Sequence, residues 1–413
     1  MHKGIQRISV SYAVGECLHL PVLEILQLRS PDVVQLELDC SEVDGPQLLQ
    51  LFENLPRLET LVLPTFASPS SAFEGLVDQM ETLKNLQFRG RDITDKFQLP
   101  VIKTPLQCSP FQALESLHLD ITYRLAASSL ECRMPKLTTL SIRTHIVESR
   151  EDIRTLCAAI KQKCYQITRL RLDYNASSRG SYTMRLEPPS LLDCDALFQC
   201  KNVTHFAFNH MNALSFSSSD IERLTSSWPE LRSIVLRPAS YSSCNVLLYF
   251  ARNCPDIEHI GMSFDFETIP SDEQIRALPN TLRNLKTLAI DNWNLWGSID
   301  QGSIILFLAS ICPPKLEIVG RNYGSEWCIK KILPTIVHHM KTTKNIVEMT
   351  RAELNRAKDE LKFLKERVKV LEEELALEKS ENASSTTPLP VKSEDIDASV
   401  ILSNSPSLAL GSA

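Results

Sequence analysis

Glycine is scarce in this chain, 12 residues in 413, where a typical soluble protein would carry ~7%. That weighs against glycine-rich phosphate loops, and neither Gly-x4-Gly-Lys-Ser/Thr nor Gly-x-Gly-x2-Gly occurs. His-Glu-x2-His and Gly-x-Ser-x-Gly are also missing, and no nucleophile–base pair stands out, so no enzyme is expected. Positive charge is not in excess: 44 basic against 50 acidic residues give a net charge of −6. Composition therefore makes no case for nucleic acid or an anionic membrane as partner. Long apolar runs are absent too. The longest, Ile304 to Ile311, is far short of the ~20 residues that span a bilayer. Residues 1–20 hold no apolar block that would serve as a secretory signal. The twelve cysteines include no Cys-x2-Cys pair. Without a secretory signal they are expected to stay reduced in the cytosol or nucleus, where the glycosylation patterns at Asn175 and Asn202 would be idle. No metal or cofactor is called for. His338-His339 reads as an exposed pair near a helix start, and Asp193-Cys194-Asp195 as helix-start charge.

What the chain does have is a repeat. An apolar residue, two variable residues, an apolar, a variable and an apolar recur in phase. Examples are Leu58-Glu-Thr-Leu61-Val-Leu63, Leu137-Thr-Thr-Leu140-Ser-Ile142 and Leu285-Lys-Thr-Leu288-Ala-Ile290. The middle apolar residues run from Ile8 to Leu288, ten steps over 280 residues, so the mean period is 28. A weaker twelfth copy lies at Leu316 to Val319. The last three residues of each copy alternate as a short strand requires, and helical text such as Asp152 to Lys163 fills most gaps. One strand and one helix per 20–29 residues is the leucine-rich-repeat signature. The expected fold is an α/β leucine-rich-repeat solenoid of 11 to 12 repeats over residues 1–333. Its parallel strands should line a concave face, with helices outside.

Three residues before each strand's first apolar position stands a second column, which includes Leu55, Phe111, Met134, Cys164, Cys200, Trp228, Cys254 and Leu282. Apart from Ser30 the column is apolar, so its cysteines occupy a core slot and behave as small hydrophobes. Proline follows the column at Pro31, Pro56, Pro135, Pro229 and Pro255, where it ends the helix and lets the strand begin. Repeats of this length with Trp228-Pro-Glu-Leu or Cys254-Pro-Asp-Ile wording resemble those of F-box proteins, especially fungal, basidiomycete ones. The resemblance covers roughly residues 5–320. It implies a substrate-recognition subunit of a cullin-RING ubiquitin ligase, docked through a cullin adaptor. The family's asparagine ladder is represented only by Asn175, and no F-box is found. The Leu20 to Cys40 segment echoes one but is too short and keeps the repeat phase. The first strand begins almost at Met1 without a cap, so upstream sequence or a covering partner is expected.

Outward strand positions should form the ligand face. They are polar at the centre, with a basic step at Arg169 and Arg171 and histidines at His118, His205 and His259. The expected ligand is a protein or peptide with an acidic or phosphorylated group on Arg169, Arg171 and His205, since guanidinium binds such groups bidentately.

Residues 334–379 read as a helix. Leu354, Leu361, Leu364, Val368, Leu371 and Leu375 make a heptad seam, weakened by Thr350 and Ala357. With Leu354, Leu361, Val368 and Leu375 at a, the g–e′ pairs Glu353–Lys358, Glu360–Lys365 and Arg367–Glu372 of a parallel homodimer through 345–379 all attract. The competing expectation is a solvated helix folded back on the array. A non-enzymatic scaffold dimerising through this helix is the alternative function. Residues 380–413 contain serine and proline but no aromatic residue and are expected to be disordered. Lys392 there matches a SUMO-acceptor pattern, and Thr387 and Ser405 match proline-directed phosphorylation.

Overall fold

The computed structural model describes residues 6–11, 32–39, 54–64, 82–89, 111–131, 134–174, 187–239, 241–294, 301–313, 315–320 and 326–384. Thirteen strands form one sheet in which every pairing is parallel. They are β1 (Arg7–Ser11), β2 (Gln35–Asp39), β3 (Thr60–Pro64), β4 (Asn85–Arg89), β5 (Ser116–Asp120), β6 (Thr139–Thr144) and β7 (Arg169–Tyr174). Then come β8 (His205–Leu214), β9 (Ser233–Ala239), β10 (Ser242–Ser243), β11 (His259–Asp265), β12 (Thr287–Asn294) and β13 (Glu317–Gly320). They lie in sequence order, except that the two-residue β10 pairs with β11 beside the main path. β13 is the twelfth copy of the repeat. Of the segment that echoes an F-box, the described strand β2 sits in repeat register, and the rest lies outside the described residues.

Connections between strands carry helices α1 (Tyr123–Ser129), α2 (Arg150–Lys163), α3 (Ser218–Ser227), α4 (Val246–Asn253), α5 (Asp272–Arg276) and α6 (Gln301–Ile311), and a 3-10 segment, Leu191–Gln199. Their sequences explain where they start. Ser149 caps α2 by accepting from the Asp152 N–H, Glu151 and Asp152 fill its first turn, and Lys161 and Lys163 its last. α3 and α5 open with capping boxes, Ser217 with Asp220 and Ser271 with Gln274. α2 buries Ile153, Leu156, Cys157 and Ile160, one face at helical spacing.

The core lies between the inner face of the sheet and these helices. Leu61, Leu140, Leu170, Phe206, Ile234 and Leu288 form one aligned inward row, and each is at most 2% exposed. Each contributes about 2 kcal/mol by burial. The second column is buried as expected at Leu55, Phe111, Met134, Cys164, Cys200, Trp228, Cys254 and Leu282. Its role is more specific than filling space. The carbonyls of Leu55, Met134, Cys164, Trp228, Cys254 and Leu282 accept the N–H three residues on, closing a turn into the next strand. Proline therefore stands at the second position of that turn, where its fixed φ suits the geometry. Cys164, Trp228 and Cys254 also cap the preceding helix through their own N–H. Burial pushes the Cys164 and Cys254 thiols up to about 12, so neither is a ready nucleophile.

A long helix, α7, spans Glu326–Ser384. It starts before Pro334 and runs past Lys379. The chain divides into two compact units, Met1–Asn345 and Ile346–Ala413. Lys392, Thr387 and Ser405 lie outside the described residues.

Candidate functional site

Strand register arranges the outward side chains in rows across the sheet. The first row contains Thr139, Arg169, His205, Ser233 and His259, each opposite the next. The second contains His118, Ser141, Arg171, Ala207, Val235 and Gly261. All five side chains expected at the ligand face therefore project from one face, but they are not one cluster. Arg169 and His205 are direct neighbours. His259 is two strands beyond His205, with Ser233 between, and His118 is separated from Arg171 by Ser141.

A third row, further along the strands, changes the electrostatics. It reads Asp120, Arg143, Asp173, Asn209 and Arg237. Asp173 Oδ2 lies 2.5 Å from Arg171 Nε, and Asp120 Oδ1 lies 3.1 Å from His118 Nε2. Arg143 approaches the same Asp120 oxygen at 4.0 Å. Two of the five expected ligand residues are thus already matched by a carboxylate two positions on in the same strand. His259 has Glu258 at 4.0 Å, and Glu258 is also bonded by Lys286. Arg169 is exposed and faces no carboxylate within salt-bridge distance among the described residues.

His205 is more specific than its charge suggests. The Thr204 hydroxyl donates to the Thr168 carbonyl at 3.1 Å and lies 2.8 Å from His205 Nδ1. With its one proton committed, that hydroxyl accepts from Nδ1–H. Neutral His205 then offers Nε2 as an acceptor, and only the protonated ring offers a donor there. Burial lowers its pKa, and the charges of Arg169 and Arg232 lower it further, with Glu258 opposing and His259 adding. At neutral pH the cation of this pair is Arg169.

The same hydroxyl belongs to a ladder. Thr138, Thr168 and Thr204 donate to the carbonyls of Glu115, Thr138 and Thr168, each one repeat back. Those carbonyls already accept two backbone N–H groups from the next strand. A threonine ladder thus ties repeats together in a chain that lacks an asparagine one. Its sequence signal is a threonine directly before the strand in three consecutive copies.

The second row also changes character. From β4 to β7 it is polar, and from β8 it reads Ala207, Val235, Gly261, Ala289 and Val319. A cationic step thus borders a strip of small apolar side chains. Among the described residues, no group of three or more His, Cys, Asp or Glu could hold a metal ion. Nor is any helix among them long and apolar enough to cross a membrane.

Geometry decides the fold class: one parallel strand per repeat, in sequence order, with helices on the other face. The fold is an α/β solenoid of the leucine-rich-repeat type. Among solved structures 68 chains match. One is the crystal structure of the Rad7 and Elc1 complex in yeast, 16% identical with a TM-score of 0.40, covering 78% of this chain and 82% of that one. Another is the leucine-rich-repeat ectodomain of the plant membrane receptor kinase GASSHO1/SCHENGEN3 from Arabidopsis thaliana in complex with CASPARIAN STRIP INTEGRITY FACTOR 2. It is 13% identical with a TM-score of 0.34, covering 77% of this chain and 36% of that one. No family model matches, and no curated protein does.

Proposed function

We propose that this chain is a protein-recognition module, not an enzyme. In this reading its open sheet face binds a polypeptide bearing an acidic or phosphorylated group. One observation carries the reading: among the described residues Arg169 stands beside His205 on that face with no carboxylate within salt-bridge distance, while Arg171 and His118 are held by Asp173 and Asp120. The adjoining strip from Ala207 to Val319 would take small apolar residues of the same ligand. Arg171 joins only by exchanging Asp173 for the ligand's anion, so it tunes affinity more than it creates it.

The reading is tested by fluorescence anisotropy with labelled glutamate-rich and phosphoserine peptides. Arg169→Ala should weaken binding about tenfold or more, the usual worth of a charge-assisted hydrogen bond. Arg171→Ala should weaken it less. Binding should tighten as pH falls through the His205 titration, with Arg169, Arg232, Glu258 and His259 as the charged groups around the ring. His205→Asn should remove that slope. Equal binding by wild type and the Arg169→Ala/Arg171→Ala double variant would sink the site.

The finer role is substrate selection for a cullin-RING ubiquitin ligase, supported by the resemblance of the Pro-containing repeat wording to F-box proteins. Co-purification of a cullin adaptor with the chain from its source cells tests it. An adaptor-free preparation that still binds the acidic peptide would leave a recognition scaffold.

A further inference from the structure

We infer that residues 346–384 form a parallel two-stranded coiled coil with a second copy of this chain. The inference is independent of what the sheet face binds. Along α7, Leu354, Leu361, Leu364, Val368, Leu371 and Leu375 are each between 52% and 56% exposed. With Ala357 between Leu354 and Leu361 they repeat at alternating spacings of three and four, the period of a coiled-coil seam. A helix in water draws most of its stability from covering its apolar face, and among the described residues this face stands exposed.

The flanking charges name the cover. With Leu354, Leu361, Val368 and Leu375 at a, the g positions are Glu353, Glu360, Arg367 and Glu374, and the e positions Lys358, Lys365, Glu372 and Lys379. In a parallel homodimer each g residue meets the e′ residue five positions on. All four pairs are then opposite in charge, including Glu374 with Lys379. In an antiparallel pair g meets g′ and e meets e′. The antiparallel alignment that sets Glu353 against Glu374 also sets Lys358 against Lys365, so like charges meet on both sides of the seam. Moving the frame to place Leu364 and Leu371 at a puts Glu360, Arg367 and Glu374 at d, inside the seam. Among the described residues, none of the eight e and g side chains has an ion-pair partner in its own chain. The intrahelical pair that does form, Lys369 with Glu373 at 3.9 Å, lies on the opposite face. A β-branched residue at a with leucine at d favours two strands, and Val368 between Leu364 and Leu371 supplies that combination at the centre of the seam.

Sedimentation equilibrium of the full chain at micromolar concentration should give twice the 46.6 kDa chain mass. Leu364→Lys with Leu371→Lys should return it to the monomer while leaving the near-ultraviolet circular dichroism of the repeat array unchanged. Orientation is read by Leu354→Cys, which should cross-link to itself under mild oxidation, since the native sequence has no cysteine after Cys328. A monomer at all concentrations overturns the proposal, as does a dimer that survives the seam substitutions. A trimer or larger species, or a dimer in which Leu354→Cys does not cross-link, overturns the two-stranded parallel arrangement.

Discussion

Glu148 is a carboxyl held where water does not reach. Its Oε1 accepts the Thr144 hydroxyl at 2.7 Å and the Tyr123 N–H at 2.9 Å. Burial pushes its pKa up to about 7, the two hydrogen bonds oppose this, Asp152 raises it further and Arg124 lowers it. In the unfolded chain the group returns to its ordinary value of 4.5. Between those values the folded protein keeps a proton that the unfolded chain releases, so stability falls as pH rises through the window and levels off above it. The full loss is on the order of 3 kcal/mol. His210, 3.3 Å from the Glu148 carbonyl, works in the other direction. Burial depresses its pKa, so its contribution is present above the ordinary histidine range and is lost as pH falls. Glu148→Gln keeps an acceptor for both donors and removes the titration. Its melting temperature should exceed that of wild type by several degrees at about pH 8 and match it near pH 5. Parallel melting profiles would show that another group sets the pH dependence. The same scale explains what sequence reading misses at the sheet face. Alternation identifies Arg171 and His118 as outward residues, but Asp173 and Asp120 sit one full period further on, just past the last apolar residue of the repeat pattern. Extending each strand by one residue brings in both ion pairs.

Elements are joined by contacts that cross repeats. The Asp193 carboxylate is fully buried between α2 and the 3-10 segment. It accepts Arg150 Nε at 2.8 Å and Arg154 Nη2 at 2.7 Å, and the Ser190 N–H at 2.8 Å closes the capping box. Burial by itself would raise its pKa; the hydrogen bonds and the charges of Arg150 and Arg154 outweigh it and hold the carboxyl below its ordinary value. Asp193→Ala should cost about 2–3 kcal/mol in urea denaturation. That is less than a fully buried pair would lose, because the two arginines are partly exposed and can be rehydrated. Asp193→Asn, which keeps the cap acceptor, should cost less; equal costs would place the whole effect in the charge pairing with Arg150 and Arg154. Helix-start charge was readable in the Asp193-Cys194-Asp195 run, but its partners were not. Arg150 and Arg154 lie 43 and 39 residues away. The threonine ladder was hidden for the same reason, with partners 23, 30 and 36 residues apart. Buried rows, turns and strand order follow from a local period and were legible. Links between repeats depend on gaps of unequal length, and no fixed spacing reveals them.

At the scale of the whole molecule the two compact units draw stability from different sources. In the repeat array each unit of structure packs on its neighbours, so stability is a sum of local and nearest-neighbour contributions within one chain. The helix beyond Asn345 exposes its apolar seam, so in the dimer inferred above it is held by association, which depends on concentration. Calorimetry of the full chain should therefore show two transitions. One should move upward as protein concentration rises, and the other should not. Leu364→Lys with Leu371→Lys should abolish the concentration-dependent transition and leave the array's in place, whereas Asp193→Ala should lower the array's and spare the helix's. A single transition that shifts with concentration would mean that the array itself is stabilised by dimerisation. The units would then be coupled, and the acidic-peptide face would have to be studied in the dimer rather than chain by chain.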